Sequence, residues 1–459
     1  MLMTGASGDS DLERRRRREV IGAAPMVTNE GWVRASLRRL VSRLVDSVSP
    51  ARLGVGFRWL LASSWISNLG DGVALAAGPL LVASQTSDAF LVALAALLQW
   101  LPQLLFGLFA GALSDRLDRR LIVVTVDVLR AIVLVVIATT ILTGVVSIAV
   151  VLAALFLLGT AEVFADNSSQ TLLPMLVRRR DLALANSRIQ AGFITVNQLA
   201  GPPLGAALFA VGMALPFVGQ ATFVAAGALL VSRIALPAHT RDPGQVTAIR
   251  QDIAEGFRWV RHHAAVRTLV LTIFIFNITF GAAWSVLVLY ATQRLEVGAI
   301  GFGLLTTVSA AGGLVGTLAY GWITRRVTLG NIMRVGLIIE TLTHLGLAIT
   351  TVPAVAVAIF FVFGAHAFVW NTTSVTVRQR AVPRELQGRV GSVNTVGVFG
   401  GLVIGSGVGG ILARQFGVTA PFWFAFAGSV MFVVLIWGQL AHIAHDDESV
   451  GRDREGRQH

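Results

Sequence analysis

The stretch GALSDRLDRR, from Gly111 to Arg120, places two aspartates and three arginines between two long apolar runs. The preceding residues end in QLLFGLFA, and the following ones begin LIVVTVDVLRAIVLVV. Since a helix that crosses a bilayer needs about 20 mostly apolar residues, both runs are long enough to span one. The charged stretch is therefore predicted to be a short link at the membrane surface.

The whole chain repeats this pattern of apolar runs and short polar links. It is 54% hydrophobic and only 14% charged, with a mean hydropathy of +0.72, which is typical of an integral membrane protein. The sequence predicts an all-α fold of twelve spans, numbered here in chain order: 58–84, 89–113, 121–143, 146–170, 184–210, 213–236, 267–292, 299–324, 329–351, 354–374, 388–413 and 419–442.

The basic residues are distributed unevenly between the two sides of these spans. The net charge is +12, with no lysine, and the arginines gather before span 1 and in the even-to-odd links. The opposite links hold only Arg294 and Arg414. This is the positive-inside pattern, which predicts a multi-pass protein of the cytoplasmic (inner) membrane with both termini cytoplasmic. A nucleic-acid partner is not expected, because the charge follows the membrane topology.

The two ends of the chain and its lack of cysteine add further expectations. Residues 1–57 form an Arg-rich cytoplasmic segment, either an interfacial amphipathic helix or a disordered basic tail, and 443–459 form a polar cytoplasmic tail. Without cysteine there is no disulfide framework, thiolate metal site or thiol nucleophile. No cofactor or metal is predicted, and the protein is expected to act as a monomer.

An internal duplication divides the spans into two sets of six. The segment around span 4, LLGTAEVFADNSSQTLLP, matches VFGAHAFVWNTTSVTVRQ in span 10, and GPPLGA in span 5 matches GSGVGG in span 11. Gly111 at the end of span 2 likewise parallels Gly321 at the end of span 8. The predicted organisation is a six-helix half at 58–236, a cytoplasmic linker at 237–266 with a short helix in QDIAEGFRWVRHH, and a second half at 267–442.

The opening stretch resembles the signature loop between helices 2 and 3 of the major facilitator superfamily, G-x-L-a-D-r-x-G-r-R. Gly111, Leu113, Asp115 and the arginines match, while Asp118 stands where the general pattern has glycine. The D-R-x-D-R-R ending is similar to the branch that holds macrolide-efflux and enterobactin-exporter proteins. The resemblance covers about residues 57–440 and implies two halves that alternate access, with spans 1, 4, 7 and 10 lining the cavity.

The resemblance also implies a gate at this loop. Gly111 would let helix ends approach closely, and Asp115 would face the positive N-terminal end of span 11, near Gly388. A charged link that only orients the protein is the alternative. The residues assigned to the gate are Gly111, Asp115, Arg116, Arg119, Arg120, Asp127 and Arg130, the last two as a neutralising pair three residues apart.

Span 5 carries LAGPPLG, in which Gly201, Pro202 and Gly205 match the core of a signature associated with antiporters. A proline beside small residues can kink a helix and admit a close neighbour. The motif weakly favours export, and simple helix packing explains it about as well.

Ionisable residues inside the membrane are the candidates for proton coupling, because burying their charge is costly. Asp71 lies in the middle of span 1, on one face with Ser64 and Asn68, and is the first candidate. Glu162 and Asp166 in span 4 are the next candidates. A structural hydrogen bond to another helix is the competing account for Asp71. Glu340 and His344 of span 9 are expected to make a local or interhelical bond.

A substrate cavity is predicted from polar and aromatic residues on the expected lining spans: Trp65, Asn68, Asn277, Trp284, His366 and Trp370. Such a lining suits a lipophilic ligand that can be cationic. A drug-like amphiphile is the first choice, a siderophore the second and a lysophospholipid the third.

The sequence thus predicts a secondary active transporter, a proton-coupled efflux pump for a lipophilic drug-like compound. A siderophore exporter and a proton-coupled uptake symporter are the alternatives within transporters, and a non-transporting membrane sensor is the alternative from another class. An enzyme is not expected, because H-E-x-x-H, G-x-S-x-G and P-loop motifs are missing from the sequence.

Overall fold

A computed structural model describes residues 50–235 and 249–437 of the chain. Within these ranges the fold is helical without strands. The predicted amphipathic or disordered N-terminal segment and the polar C-terminal tail lie outside them, apart from 50–57. The helices belong to one unit that begins at Leu53.

The twelve predicted spans correspond to twelve helical segments, which we number α1 to α12. They are α1 Gly54–Gln85, α2 Ala89–Arg116, α3 Arg119–Leu142, α4 Ile148–Leu176, α5 Leu182–Gly192 continuing through Phe193–Ala200 and Gly201–Val211, α6 Leu215–Ser232, α7 Ala264–Trp284 continuing through Leu287–Leu289 and Tyr290–Arg294, α8 Gly298–Thr324, α9 Leu329–Ile349, α10 Pro353–Ala381, α11 Gln387–Phe416 and α12 Ala420–Ile436. Eleven are long and apolar enough to cross a membrane, and α12 has 17 described residues. The linker helix, Ile249–His262, lies between α6 and α7.

The charged stretch that opened the sequence is a tight connection between α2 and α3. The side chain of Asp118 accepts hydrogen bonds from the backbone N–H groups of Arg120 and Leu121, at 2.9 and 3.3 Å, and so caps the start of α3. Capping satisfies donors that have no partner inside the helix. This explains how an aspartate serves at the position where the superfamily pattern has glycine.

The helix ends differ most from the prediction at α4 and α10. These helices continue to Leu176 and Ala381, whereas the predicted spans stopped at 170 and 374. Hydropathy marks the apolar part of a helix, but backbone hydrogen bonding continues through the polar turns beyond it. Both extensions lie at the same end of the bundle, next to the links rich in arginine. We call this end the Arg-rich end.

The helix contacts confirm two pseudo-symmetric halves. In the first half α1 contacts α5 and α6, α2 contacts α4, and α3 contacts α4 and α6. The second half repeats every one of these pairs, with α7 to α12 in place of α1 to α6. The halves meet mainly along α2 with α11 and α5 with α8, which are also related by the repeat.

Glycines that match in the sequence repeat occupy equivalent tight contacts. A Cβ on Gly201 of α5 would overlap the backbone of Gly72 on α1, and one on Gly405 of α11 would overlap the backbone of Ile278 on α7. Side chains are excluded at both positions because the helix backbones nearly touch. The two halves therefore use the same small residues for the same helix pairs.

Among the described residues, the tightest contacts between the halves lie toward one end. At the end opposite the Arg-rich end, α11 lies against α2, where a Cβ on Gly410 would sit 2.7 Å from that of Ala93, and α8 lies against α5 at Gly303. The largest described core cluster joins residues of both halves there. At the Arg-rich end, a Cβ on Gly388 at the start of α11 would meet nothing within 4 Å. Among the described residues, the tight contacts between the halves therefore lie toward the opposite end.

Candidate transport site

The most concentrated charge in the membrane-spanning part surrounds one arginine. Arg130 of α3 forms ion pairs with Asp71 of α1 and, at 3.2 Å, with Asp127 of α3. Gln220 of α6 places its Nε2 atom 3.4 Å from Asp71 Oδ1. The side chains of Arg130 and Asp127 are each only 4% exposed, and that of Asp71 is 17% exposed. Three helices therefore meet at a buried polar centre.

Glu162 and Asp166 extend this group from α4. They lie one turn apart and close enough to Arg130 for electrostatic interaction with it. Neither carboxylate makes a hydrogen bond or an ion pair within the described part of the chain, and both are exposed. Because Asp71 also interacts with them, they lie on the α4 face turned toward α1. We call the following five residues the charged cluster: Asp71, Asp127, Arg130, Glu162 and Asp166.

Two sequence-based expectations change with this geometry. Asp71 was the first candidate for proton coupling, with a bond to another helix as the competing account, and its ion pair with Arg130 favours that structural account. Asp127 and Arg130 form the predicted ion pair three residues apart, but the pair lies half-way along α3 beside Asp71 and away from the α2–α3 link with which it was grouped. The sequence could not reveal the contact between Arg130 and Asp71, because these residues are 59 positions apart on different helices.

The polar face of α1 turns toward α5 rather than only into the space between the halves. Trp65 donates a hydrogen bond from Nε1 to the carbonyl of Arg188, at 3.2 Å, and Asn197 donates to the carbonyl of Asn68, also at 3.2 Å. Asn197 lies in Phe193–Ala200, a π-helical segment in the middle of α5. Such segments are frequent at functional sites, and the adjoining GPP sequence was the signal for an irregular helix.

Aromatic rings form the corresponding part of the second half. Trp284 of α7 stacks with Phe280 at 4.4 Å and lies 4.6 Å from Phe363 of α10, measured between ring centroids. His366 lies one turn beyond Phe363. Asn277 donates to the carbonyl of Ile273 at 2.6 Å, and its Cβ abuts Gly401 of α11.

Trp370 completes the set of predicted cavity residues and packs against α9. A Cβ on Gly336 would come 2.6 Å from Cδ1 of Trp370. The six predicted cavity residues thus lie in two places. Trp65 and Asn68 lie beside α5. The other four lie on α7 and α10: Asn277, Trp284, His366 and Trp370.

The arginines of the α2–α3 link bind carbonyl groups within their own half. Arg119 Nη1 donates to the carbonyl of Thr171 on α4 at 3.2 Å, and Arg120 Nη1 donates to that of Ile234, just after α6, at 3.0 Å. The side chains of Asp115 and Arg116 lie outside the described residues.

The α5 motif serves two helix contacts. A Cβ on Gly205 would overlap the carbonyl oxygen of Val73 on α1, and the carbonyl of Pro202 lies 2.9 Å from the Cβ position of Gly303 on α8. The motif therefore brings α1, α5 and α8 together. This contact agrees with the explanation by simple helix packing.

An ion pair joins the two halves at their closed end. Arg414 Nε of α11 lies 3.6 Å from Oδ2 of Asp88, and Asp88 also caps the start of α2. The pair is partly exposed, with 63% and 29% of the two side chains accessible. Because exposed pairs stabilise weakly, its loss is expected to favour opening of this end without unfolding the protein.

We expect Arg414→Gln to increase the population opened at this end by up to fivefold, since an exposed ion pair contributes about 0.2–1 kcal/mol. The chain has no cysteine, so Ala93→Cys can report opening by its rate of maleimide labelling. Arg294→Gln is the matched control, because Arg294 bonds the carbonyl of Ile349 within the same half. Equal labelling rates in the two variants would contradict a role for the Asp88 pair.

Twelve helices in two repeated halves are the architecture of a membrane transporter of the major facilitator superfamily, and a family model shows that the chain belongs to that class. The chain belongs to the transmembrane secretion effector family of this superfamily, whose family model matches residues 45–454.

Curated relatives include the multidrug efflux pump Tap of Mycolicibacterium fortuitum, 29% identical over 79% of this chain and 90% of the relative. The Tap pump of Mycobacterium tuberculosis is 26% identical over 79% of this chain and 88% of its own. Among solved structures, the nucleoside transporter NupG superimposes with a TM-score of 0.66 at 13% identity, covering 85% of this chain and 99% of that one. A bacterial homologue of the iron transporter ferroportin in an inward-facing state has a TM-score of 0.64 at 17% identity, covering 82% and 98%.

Proposed function

We propose that the protein is a secondary active exporter that exchanges protons for a lipophilic, cationic drug-like compound. The observation that carries the proposal is the charged cluster, in which one arginine is surrounded by four carboxylates. The similarity to the Tap multidrug efflux pumps supports both the outward direction of transport and a drug-like substrate.

The charge of this cluster provides the physical basis for coupling. Four ionised carboxylates and one guanidinium would leave three negative charges in the membrane-spanning region, which is costly in a medium of low polarity. A bound proton or a bound cationic ligand reduces that cost. Because both neutralise the same carboxylates, binding of one disfavours binding of the other, which is the requirement for antiport.

We assign the exchange of protons for the cationic ligand to Glu162 and Asp166. Asp71 has a supporting role. Glu162 and Asp166 are exposed and without hydrogen bonds in the described part of the chain, so a proton or ligand can reach them. Asp71 is held by Arg130 and senses the protonation of the α4 carboxylates through that shared cation. Trp284 and Phe280 offer stacked rings for the apolar part of the ligand.

The orientation and the gate are part of the same proposal. The Arg-rich end faces the cytoplasm by the positive-inside rule, so the space between the halves opens inward, as an exporter needs for loading. Closure would bring Gly111 toward the start of α11, with Asp115 as the gating carboxylate. We further propose a monomer in the cytoplasmic membrane with both termini inside, its halves at 58–236 and 267–442 joined by a linker at 237–266.

The test uses everted membrane vesicles and ethidium, a planar lipophilic cation. We expect the wild-type chain to accumulate ethidium when the vesicle interior is acidified, and the double variant Glu162→Gln with Asp166→Asn to fall to the level of vesicles without the protein. Exchange of ethidium at equal pH should fall as well, because the same carboxylates neutralise the bound cation.

Glu296→Gln is the control, since it makes the same chemical change at an exposed carboxylate outside the charged cluster. We expect it to transport like the wild type. If the double variant still concentrates ethidium under an imposed pH difference, Glu162 and Asp166 do not carry the exchange.

A further inference from the structure

A second group of buried polar side chains lies in the other half and has no part in the proposed exchange. His344 of α9 is fully buried and His366 of α10 is 8% exposed. Within the described residues, neither ring nitrogen of either histidine has a hydrogen-bond partner. A buried polar group left without a partner destabilises the folded state, so two such imidazoles require an explanation.

Glu340 lies on the same face of α9 as His344, one turn away. This face looks toward α10, since a Cβ on Gly336 would come 3.3 Å from Nδ1 of His366. His344 and His366 are close enough to interact electrostatically. Glu340, which is half-buried, makes no hydrogen bond or ion pair in the described part of the chain. One carboxyl group and two imidazoles therefore gather between α9 and α10.

Few other charged groups face this set from the helices around it. The described part of α12 has no titratable residue. Tyr290, in the last segment of α7, donates its hydroxyl to the carbonyl of Leu347 at 2.7 Å. Arg294, at the other end of α7, donates to the carbonyl of Ile349. Tyr320 of α8 places its hydroxyl at Thr373 of α10. The remaining titratable groups on α7, α9 and α10 lie toward the Arg-rich end: Arg267, Arg334, Arg378 and Arg380. Arg334 is engaged there with Asn331 and with the ring of Trp437.

The position of this set within the fold matches that of the charged cluster. The repeat relates α1, α3 and α4, which carry the charged cluster, to α7, α9 and α10. The first half therefore holds four carboxylates and an arginine where the second half holds a carboxyl group, two imidazoles and the ring of Trp284. A titratable group is thus present at equivalent places in both halves.

We propose that Glu340, His344 and His366 form a second proton-binding site, in the second half of the transporter. The proton would bind the lone pair of a ring nitrogen, with the Glu340 carboxylate as its counter-charge, and leave from the same nitrogen. A proton is small enough to reach these buried nitrogens, and it gives an unpartnered imidazole its missing electrostatic partner. The site's part in transport rests on the proposed exchange function, whereas its occupancy can be measured without transport.

Trp284 is a built-in reporter of this site. Its ring lies edge-on to His344, with 6.0 Å between centroids, and a protonated imidazole quenches indole fluorescence at such a contact. The emission of Trp284 is obtained by subtracting the spectrum of Trp284→Phe from that of the purified full-length protein in detergent. We expect this emission to fall as the solution is acidified from about pH 8 to about pH 4, because burial opposes the charging of an imidazole that otherwise occurs between about pH 5 and 8.

His344→Gln should abolish the loss of Trp284 emission in acid. Glu340→Gln should make this loss smaller at each pH, because the imidazolium then has no carboxylate partner. His263→Asn is the matched control: His263 stacks on Trp259 at 3.6 Å on the linker helix, so its removal should leave the Trp284 signal unchanged. If His344→Gln does not fold, as judged by gel filtration, Glu340→Gln decides the outcome.

A Trp284 emission that is constant across this pH range would overturn the proposal, as would a loss that persists unchanged in both His344→Gln and Glu340→Gln. Failure of ethidium exchange in the Glu162 and Asp166 variants would leave this result unaffected, because the fluorescence is measured without a gradient or a substrate. The two proposals can therefore fail separately.

Discussion

Arg130→Gln is expected to abolish transport and to reduce the amount of folded protein sharply. Arg130 is the cation that Asp71 and Asp127 share, and Glu162 and Asp166 also depend on its charge. Removing one partner of a buried ion pair costs about 3–5 kcal/mol, because the other charge is left uncompensated. That is a large part of the 5–15 kcal/mol by which a typical domain is stable. Thermal unfolding of the detergent-purified protein measures the effect.

Two further variants separate charge from shape at this position. Arg130→Lys should recover part of the stability, because it keeps the charge but loses the forked geometry that reaches two carboxylates. Combining Arg130→Gln with Asp71→Asn should be less damaging than the sum of the single changes, since the double variant removes a cation and a carboxylate together. A stable, active Arg130→Gln protein would show that the charged cluster does not need its cation.

Gly205→Ala is the second change with a large expected effect. Its new Cβ would overlap the carbonyl oxygen of Val73, so α1 and α5 would have to separate. Overpacking of a tight contact typically costs 1–3 kcal/mol, and a clash with backbone lies at the upper end because a carbonyl cannot change rotamer. We expect a clearly lower unfolding temperature. Displacing α1 would also move Asp71 away from Arg130, so ethidium transport should fall with stability.

Gly391→Ala is the matched control for this prediction. A Cβ on Gly391 of α11 would meet nothing within 4 Å, so the same substitution adds a methyl group without a clash. Replacing a helical glycine by alanine is worth roughly 0.5–1 kcal/mol in favour of the helix. Its unfolding temperature should therefore equal or exceed that of the wild type. Equal destabilisation of both variants would mean that the α1–α5 contact is not the cause.

The sequence by itself determined the number of helices, the division into halves and the places of the links. Hydropathy depends on composition over about 20 residues, and the repeat depends on matching letters, so neither needs knowledge of distant contacts. The helix ends at α4 and α10 were misplaced, because polar turns continue a helix that apolar residues begin.

The sequence also indicated the role of individual motifs where that role depends on neighbouring residues. Asp118 caps the helix that starts beside it, and Gly201 and Gly205 were recognised as small residues for a close helix contact. The list of titratable residues inside the spans was likewise available, because any charge stands out in an apolar run. Asp71, Glu162 and Asp166 were all on that list.

The tertiary structure decided what those residues are bound to. Asp71 pairs with Arg130 on a helix 59 residues away, while Glu162 and Asp166 remain exposed beside the same arginine. It also decided that the tight described contacts between the halves lie away from the Arg-rich end, and that the ring nitrogens of His344 and His366 have no hydrogen-bond partner among the described residues. These outcomes depend on the rotation and depth of each helix, which are set by its packing against helices distant in the chain. A helical period gives every residue a face, but only the neighbouring helices determine what that face meets.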